Sequence, residues 1–210
     1  MDSQAIIELQ YLPPIPYMAC WAHFDEIIIE SKESYSKQSY RNRCRILTAN
    51  QVSNLIIPIQ KGNSNIPIQE IRIDQQQGWV KDHWGAIRSA YGNAPYFEHY
   101  ASDLEAILFK KHRFLFDLNL EILETLLKIL GMQKNLVFSQ KFEKTSPSGI
   151  QDLRSVIHPK QDKAALDFYR PPSYLQVFGN QFVEDLSVID LLFCEGPEAR
   201  HLIRRSIAKI

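Results

Sequence analysis

Four places in the chain put reactive or ligand-holding side chains close together. The first is residues 31–45, SKESYSKQSYRNRCR, which holds five Lys/Arg, a single acid and two tyrosines. Lys37, Arg41, Arg43 and Arg45 alternate, so an extended segment would set them on one face. Guanidinium groups grip carboxylate or phosphate bidentately, and Lys adds a compact charge. The chemistry this pattern suits is recognition of an anion, such as the phosphate of a nucleotide-activated small molecule. A solvated edge strand guarded by charges would read the same way.

The second place is His83, in D-H-W, with Arg88 and Tyr91 following on one helical stretch. Histidine can act as acid or base near neutral pH, although a half-buried histidine that only satisfies hydrogen bonds fits as well. The third is D-L-R (152–154) with H-P-K (158–160), inside a loop-rich region where function tends to concentrate. The fourth is Asp190, a lone carboxylate within the apolar run LSVIDLLF (186–193). Such a group must be paired, capped or functional. Tyr91, Tyr96, Phe97 and Tyr100 flank G-N-A-P and suit packing more than ligand stacking.

Many familiar chemistries are excluded. With eight glycines the chain has neither a P-loop nor a G-x-G-x-x-G fingerprint, and H-E-x-x-H and G-x-S-x-G are absent. No histidine sits at metal-ligand spacing from Cys, Asp or Glu, so no metal is assigned, and no motif names a cofactor. Cys20, Cys44 and Cys194 are far apart and form no C-x-x-C. They read as buried thiols of a reducing compartment. Cys20 and Cys44 lack a paired base in sequence.

The chain has 210 residues, 24 Lys+Arg against 24 Asp+Glu, and 45% hydrophobic residues. This neutrality argues against a nucleic-acid partner. It also conceals an asymmetry, since the first 30 residues hold five acids and no Lys or Arg. No stretch approaches the roughly 20 apolar residues that span a bilayer. The N-terminus has no positive n-region and soon meets Pro13–Pro14. A single domain over 1–210 is expected, in the cytoplasm.

The elements that must position these groups follow from periodicity. Residues 4–11 suit a strand stopped by prolines, 17–24 a short helix, and 26–30 a second strand. Further strands are expected at 43–48, 54–60 and 68–73. Helices are expected at 79–90, 96–111 and 114–130, the last ending with Gly131 at C′. Residues 136–138 and 174–178 suit strands, and 139–173 a long loop or excursion. Residues 186–193 fit a strand or a buried helix alike. A final helix opens at Gly196–Pro197 and carries Arg200, Arg204, Arg205 and Lys209 at its basic end. The fold class expected is α/β: a mixed or mostly parallel central sheet in the N-terminal half, with a helical second half.

Six segments together resemble the WbqC-like family. They are YLPPIPY (11–17), YSKQSYRNRCRI (35–46), LIIPI (55–59), H-W-x-x-I-R-x-A-Y-x-x-A-P-Y-F-x-x-Y (83–100), DLR…IHPK (152–160) and YxQVF…LSVIDLLFxEGP (174–197). The resemblance runs from about residue 5 to 205, and DLR…IHPK is similar to the Bacteroidetes form. The opening departs from the family's Q-P-N-Y-x-P, since Gln10 precedes Tyr11 with no Asn. Tyr11, Lys37, Asn42, Arg43, Arg45, His83, Tyr91, Tyr100 and Asp190 coincide with the family's pattern.

The resemblance implies a place in O-antigen, lipopolysaccharide or other surface-polysaccharide biosynthesis, with a transferase moving an aminoacyl (glycine) or acyl group onto a sugar acceptor. On that expectation Lys37, Arg43 and Arg45 hold the anionic group, with Asn42 and Tyr100 beside them in substrate binding. Tyr11 and Tyr91 line the pocket, His83 is the general base, and Asp190 joins it in catalysis. Two alternatives stand beside this one. A non-catalytic scaffold could use the basic C-terminal helix for peripheral contact with anionic lipid. A Rossmann-like nucleotide binder could place its ligand at a strand's carboxyl end.

Overall fold

A computed structural model describes residues 3–60, 65–132, 134–161, 166–179 and 181–208. The chain begins as a β–α–β unit. Strand β1 (Gln4–Ile7) leads through the prolines into helix α1 (Ile15–His23) and back along β2 (Glu26–Ile29), which lies parallel to β1. Pro14 caps α1 and Pro16 sits in its first turn, where a missing N–H costs nothing. Residues Ile15 to Trp21 are all buried, so α1 is enclosed by the core rather than lying on the surface.

Two later strands complete the sheet. β5 (Val137–Phe138) joins the outer side of β2, and β6 (Ile150–Asp152) returns to the free side of β1, both parallel. The order is β5-β2-β1-β6. All four carboxyl ends therefore reach one edge, and the connections leaving β1 on its two sides diverge there. A separate antiparallel ribbon is formed by β3 (Arg43–Leu47) and β4 (Val52–Ile56). It stops before Pro58, which has no N–H for a ladder.

Three helices follow: α2 (Trp79–Tyr91), α3 (Phe97–Phe109) and α4 (Leu115–Ile129). Gly131, φ +60°, closes α4 at C′. The apolar run 186–193 resolves as helix α5 (Val188–Glu195), capped by Ser187, whose Oγ accepts from the Ile189 N–H. A one-turn helix (Gly196–Glu198) and α6 (Ala199–Arg205) end the described fold, and Lys209 lies outside the described residues.

Two expected strands are corrected. Ile68–Glu70 is a one-turn helix, because Ile68 and Ile71 share the i, i+3 spacing of a turn and both are buried. Beyond it only the bridges Ile59–Ile73 and Arg72–Phe114 form. Residues 174–178 run without a strand partner. The Gln176 amide instead binds both backbone groups of Val183, at 2.8 and 2.9 Å. A side chain does there what a neighbouring strand would do in a sheet.

Candidate functional site

The strongest concentration of charge lies where the parallel strands end. β1 runs directly into Glu8 and β2 into Glu30, Arg154 stands two residues past the end of β6, and Glu8 and Glu30 are each 1% exposed. Into this edge Arg41, also 1% exposed, extends its guanidinium from the turn before β3. Its Nε and Nη2 each donate to Glu33 at 2.6 Å, a bidentate pair. Its Nη1 faces Glu8 Oε1 at 3.7 Å, and Nη2 also reaches Ser155 Oγ at 3.3 Å.

Glu8 has donors of its own, Gln10 Nε2 at 2.9 Å and the Ser155 N–H at 2.8 Å. Burial pushes the Glu33 pKa up, against the pull of Arg41. Burial acts to lower the pKa of Arg41, but Glu8 and Glu33 outweigh it and raise it. Asn119 fixes the position from beneath by donating to the Arg41 carbonyl at 2.7 Å.

A second pair stands alongside. Arg154 bridges Glu30 at 3.0 Å and Asp152 at 2.6 Å, and Ser139 at the end of β5 donates to Glu30 at 2.6 Å. The neighbours Arg154 and Ser155 thus link the two networks. Ser155 holds φ +60°, a left-handed conformation uncommon outside glycine.

Above the Arg41 pair, the cations gather. The His158 pKa is lowered by burial, then by the charges of Lys160, Arg41 and Arg43, against the opposing charge of Glu8. The ring is therefore neutral near pH 7. Its Nδ1 accepts the Lys160 N–H at 3.2 Å, so its proton sits on Nε2, which is left as a donor. Arg43 and Arg41 both act on Tyr35. The buried Nε of Arg43 finds no hydrogen-bond acceptor among the described residues. Arg41, Arg43 and Lys160 thus all act on His158, against the opposing charge of Glu8, beside the carboxylate pair that Glu8 and Glu33 make with Arg41. Such a group of cations can hold a phosphate or carboxylate. It sits where open parallel sheets bind ligands, outside the carboxyl ends at the point where the strand order reverses.

The residues singled out in sequence fall in three places. Arg43 joins the charges acting on His158. Arg45 shares its face of β3 two residues on, hydrogen-bonded to Tyr40. Lys37 is exposed on a turn, because residues 31–42 are not extended. Arg41 leaves the expected stripe altogether to enter the carboxylates. Asn42 is buried and donates to the Ile57 carbonyl at 2.8 Å.

A second group is buried away from this edge. His83 is 5% exposed and meets the Tyr11 hydroxyl through Nδ1 at 2.9 Å. Burial lowers its pKa to about 4 despite the opposing Ile56 backbone and Asp82. Asp190, fully buried, accepts from Tyr174 at 2.5 Å and Gln176 at 3.2 Å, and burial raises its pKa. Tyr91 accepts the Leu47 N–H at 3.2 Å while its hydroxyl acts on Asp190. Tyr100 stands apart, half-buried on α3 against the core. Glu8, Glu30 and Glu33 were not expected from sequence. The signal was present all the same, since Glu8 and Glu30 each end a short apolar strand run.

Cys20 and Cys44 are buried, and burial pushes both thiols up, so neither is a ready nucleophile. Among the described residues, no three His, Cys, Asp or Glu side chains are arranged to hold a metal ion. Nor is any helix of those residues long and apolar enough to cross a membrane.

Comparison with known proteins bears on this arrangement. The model of the WbqC-like protein family matches residues 9–158 and 158–202. The chain is similar to "Uncharacterized protein Rv1507c" of Mycobacterium tuberculosis, 29% identical over 233 aligned positions. That alignment covers 97% of this chain and 98% of the relative. No solved structure matches.

Proposed function

The chain belongs to the WbqC-like protein family, and from that membership and the carboxyl-edge geometry we propose that it is a cytoplasmic transferase of surface-polysaccharide biosynthesis. It moves an acyl or aminoacyl group from an anionic, activated donor onto a sugar acceptor. The observation that carries this reading is that Arg41, Arg43 and Lys160 all act on His158, in the loop that leaves β6 beside β1. There Arg43 and Lys160 take the donor's phosphate, and His158 donates through Nε2.

The acceptor's amine or hydroxyl attacks the acyl carbon, and the acyl–oxygen bond to phosphate breaks. The electron pair leaves with the phosphate-bearing anion, and the acceptor's proton passes to water. Glu33 stays paired with Arg41 through both of its oxygens. In this reading His83 and Asp190 are positioning residues that hold Tyr11, Tyr91 and Tyr174.

The membrane-contact alternative has thinner support. Helix α6 is seven residues long, and Arg205 is already paired with Glu198 at 3.3 Å.

Calorimetry with pyrophosphate, nucleotides and acyl or aminoacyl phosphates tests the proposal, with Arg43→Ala as control. Binding that Arg43→Ala abolishes supports it, and acyl transfer to an amino sugar by the responding donor completes it. A flat panel with both proteins refutes it.

A further inference from the structure

The sheet has two faces, and they are covered differently. Ala5, Ile7, Ile27 and Ile29 point into the main core. The alternate residues Ile6 and Ile28 point the other way. A parallel sheet ordinarily has helices on both faces. Here the second face is crossed by segment 139–149, and beneath it lies a cleft of about 230 Å³.

The floor of the cleft is aliphatic. The register sets Ile6 beside Ile28 and Ile28 beside Val137, with Ile150 on the next strand over. Phe138 and Pro147 add to the walls. Glu30, Ser139 and Arg154 stand at the lip, and their hydrogen bonds are already made. Glu30 accepts from Ser139 at 2.6 Å, the Lys32 N–H at 2.8 Å and Arg154 at 3.0 Å. Arg154 also donates to the Glu143 carbonyl of the crossing segment at 2.8 Å. An occupant is therefore offered an apolar surface and no unpaired charge.

Size narrows the choice. The volume exceeds the roughly 150 Å³ that admits benzene, and it falls below the roughly 300 Å³ at which pockets for drug-sized ligands begin. A helix or strand of a partner protein does not fit. The lip adjoins the Arg41 network through Arg154, whose chain neighbour Ser155 binds Glu8 and Arg41.

We infer that the cleft between segment 139–149 and the sheet takes a short, unbranched aliphatic chain, the acyl group of the ligand whose anion binds at Arg43. The second half of that statement rests on the proposed function; the cleft's own chemistry does not.

The test uses neutral probes, so that the cations around His158 play no part. Ethanol through 1-octanol are titrated into the whole protein with labelled isoleucine methyl groups, and the spectra are read by NMR. The methyls of Ile6, Ile28 and Ile150 should shift, and affinity should rise about fourfold per added methylene. The rise should level off once the chain outgrows the cleft. Ile28→Trp should remove the response; if that variant folds poorly, Ile150→Phe should weaken it. Inorganic phosphate should leave these methyls unmoved while it binds Arg43. A response without chain-length dependence overturns the inference, as does one spread over isoleucines throughout the core or one that survives Ile28→Trp. Loss of phosphate binding with the alcohol series intact overturns only the proposed function.

Discussion

Replacing Arg41 by methionine should be among the most damaging single changes at the sheet edge. The side chain is 1% exposed and makes two 2.6 Å bonds to Glu33, with Glu8 also facing it. Methionine keeps much of the volume, so the loss is mainly electrostatic, and removing one partner strands the other buried charge. Breaking a buried pair in this way costs about 3–5 kcal/mol. For 210 residues, the unfolding entropy is near 0.44 kcal/mol/K, so the melting temperature should drop by about 7–11 °C. Arg41→Met with Glu33→Gln should recover a large part of this loss. Glu8 keeps Gln10 and Ser155 as donors in the double variant.

The pH dependence gives a sharper check. Without Arg41, burial acts on Glu33 together with the like charges of Glu8 and Glu30, and all three raise its pKa above the unfolded value. A group raised in the folded state contributes stability that is fully present below its unfolded pKa, here about 4.5. That contribution is lost as pH rises through the folded pKa. The deficit of Arg41→Met should therefore shrink between pH 7.5 and pH 5, as read by urea titration at both. A deficit below about 1 kcal/mol, or one indifferent to pH, would refute the reasoning.

Other perturbations separate binding from stability. Arg43→Ala should leave the melting temperature within about 2 °C, because its buried Nε has no acceptor among the described residues, yet abolish phosphate binding in calorimetry. His83 has its pKa lowered from 6.5 to about 4, so its contribution is present above pH 6.5 and lost as pH falls toward 4. That difference is about 3 kcal/mol, and denaturation of His83→Gln across this range should show a correspondingly flatter profile. Gly196→Ala should cost about 2–5 kcal/mol by chemical denaturation. The position has φ +53°, and a Cβ there would run into the Tyr96 ring.

How much of this was legible in the residues depends on the range over which each signal acts. The α/β class and α2, α3 and α4 follow from local periodicity, and Gly131 marks the end of α4 because the turn that closes the helix takes a positive φ there. β6 escaped notice because it is three residues long and only Ile150 is apolar. Its strand character comes wholly from pairing with β1, 146 positions away in register at Gln4–Ile150. The same distance hid the carboxylate cluster. Glu8, Glu33 and Arg41 are near in sequence, but Ser155, Arg154 and His158 meet them only once β6 lies beside β1. The stripe expected for Lys37, Arg41, Arg43 and Arg45 assumed an extended chain through 31–45. The strand starts only at Arg43, so the turn before it sends Arg41 inward and leaves Lys37 exposed.

The sheet edge also explains why a neutral chain separates its charges so unevenly. The acids of the first 30 residues include Glu8 and Glu30 at strand ends, and the following basic segment supplies Arg41 and Arg43 to the same edge. A buried pair gives back little net stability, because desolvating both ions offsets most of their attraction. A core of leucines at that edge would hold the sheet at least as well, so stability alone does not account for a buried Arg41 between two glutamates. Ser155 adds to the case. Its left-handed backbone is itself unfavourable by roughly 1–3 kcal/mol, and it is held there by Glu8 on its N–H and Arg41 on its hydroxyl. Both costs fall at the one edge where the strand order reverses. What they achieve is a guanidinium fixed in orientation, its Nη1 facing Glu8 at 3.7 Å and its charge acting on His158. A positive charge fixed in that way adds to the field that Arg43 and Lys160 set up around His158.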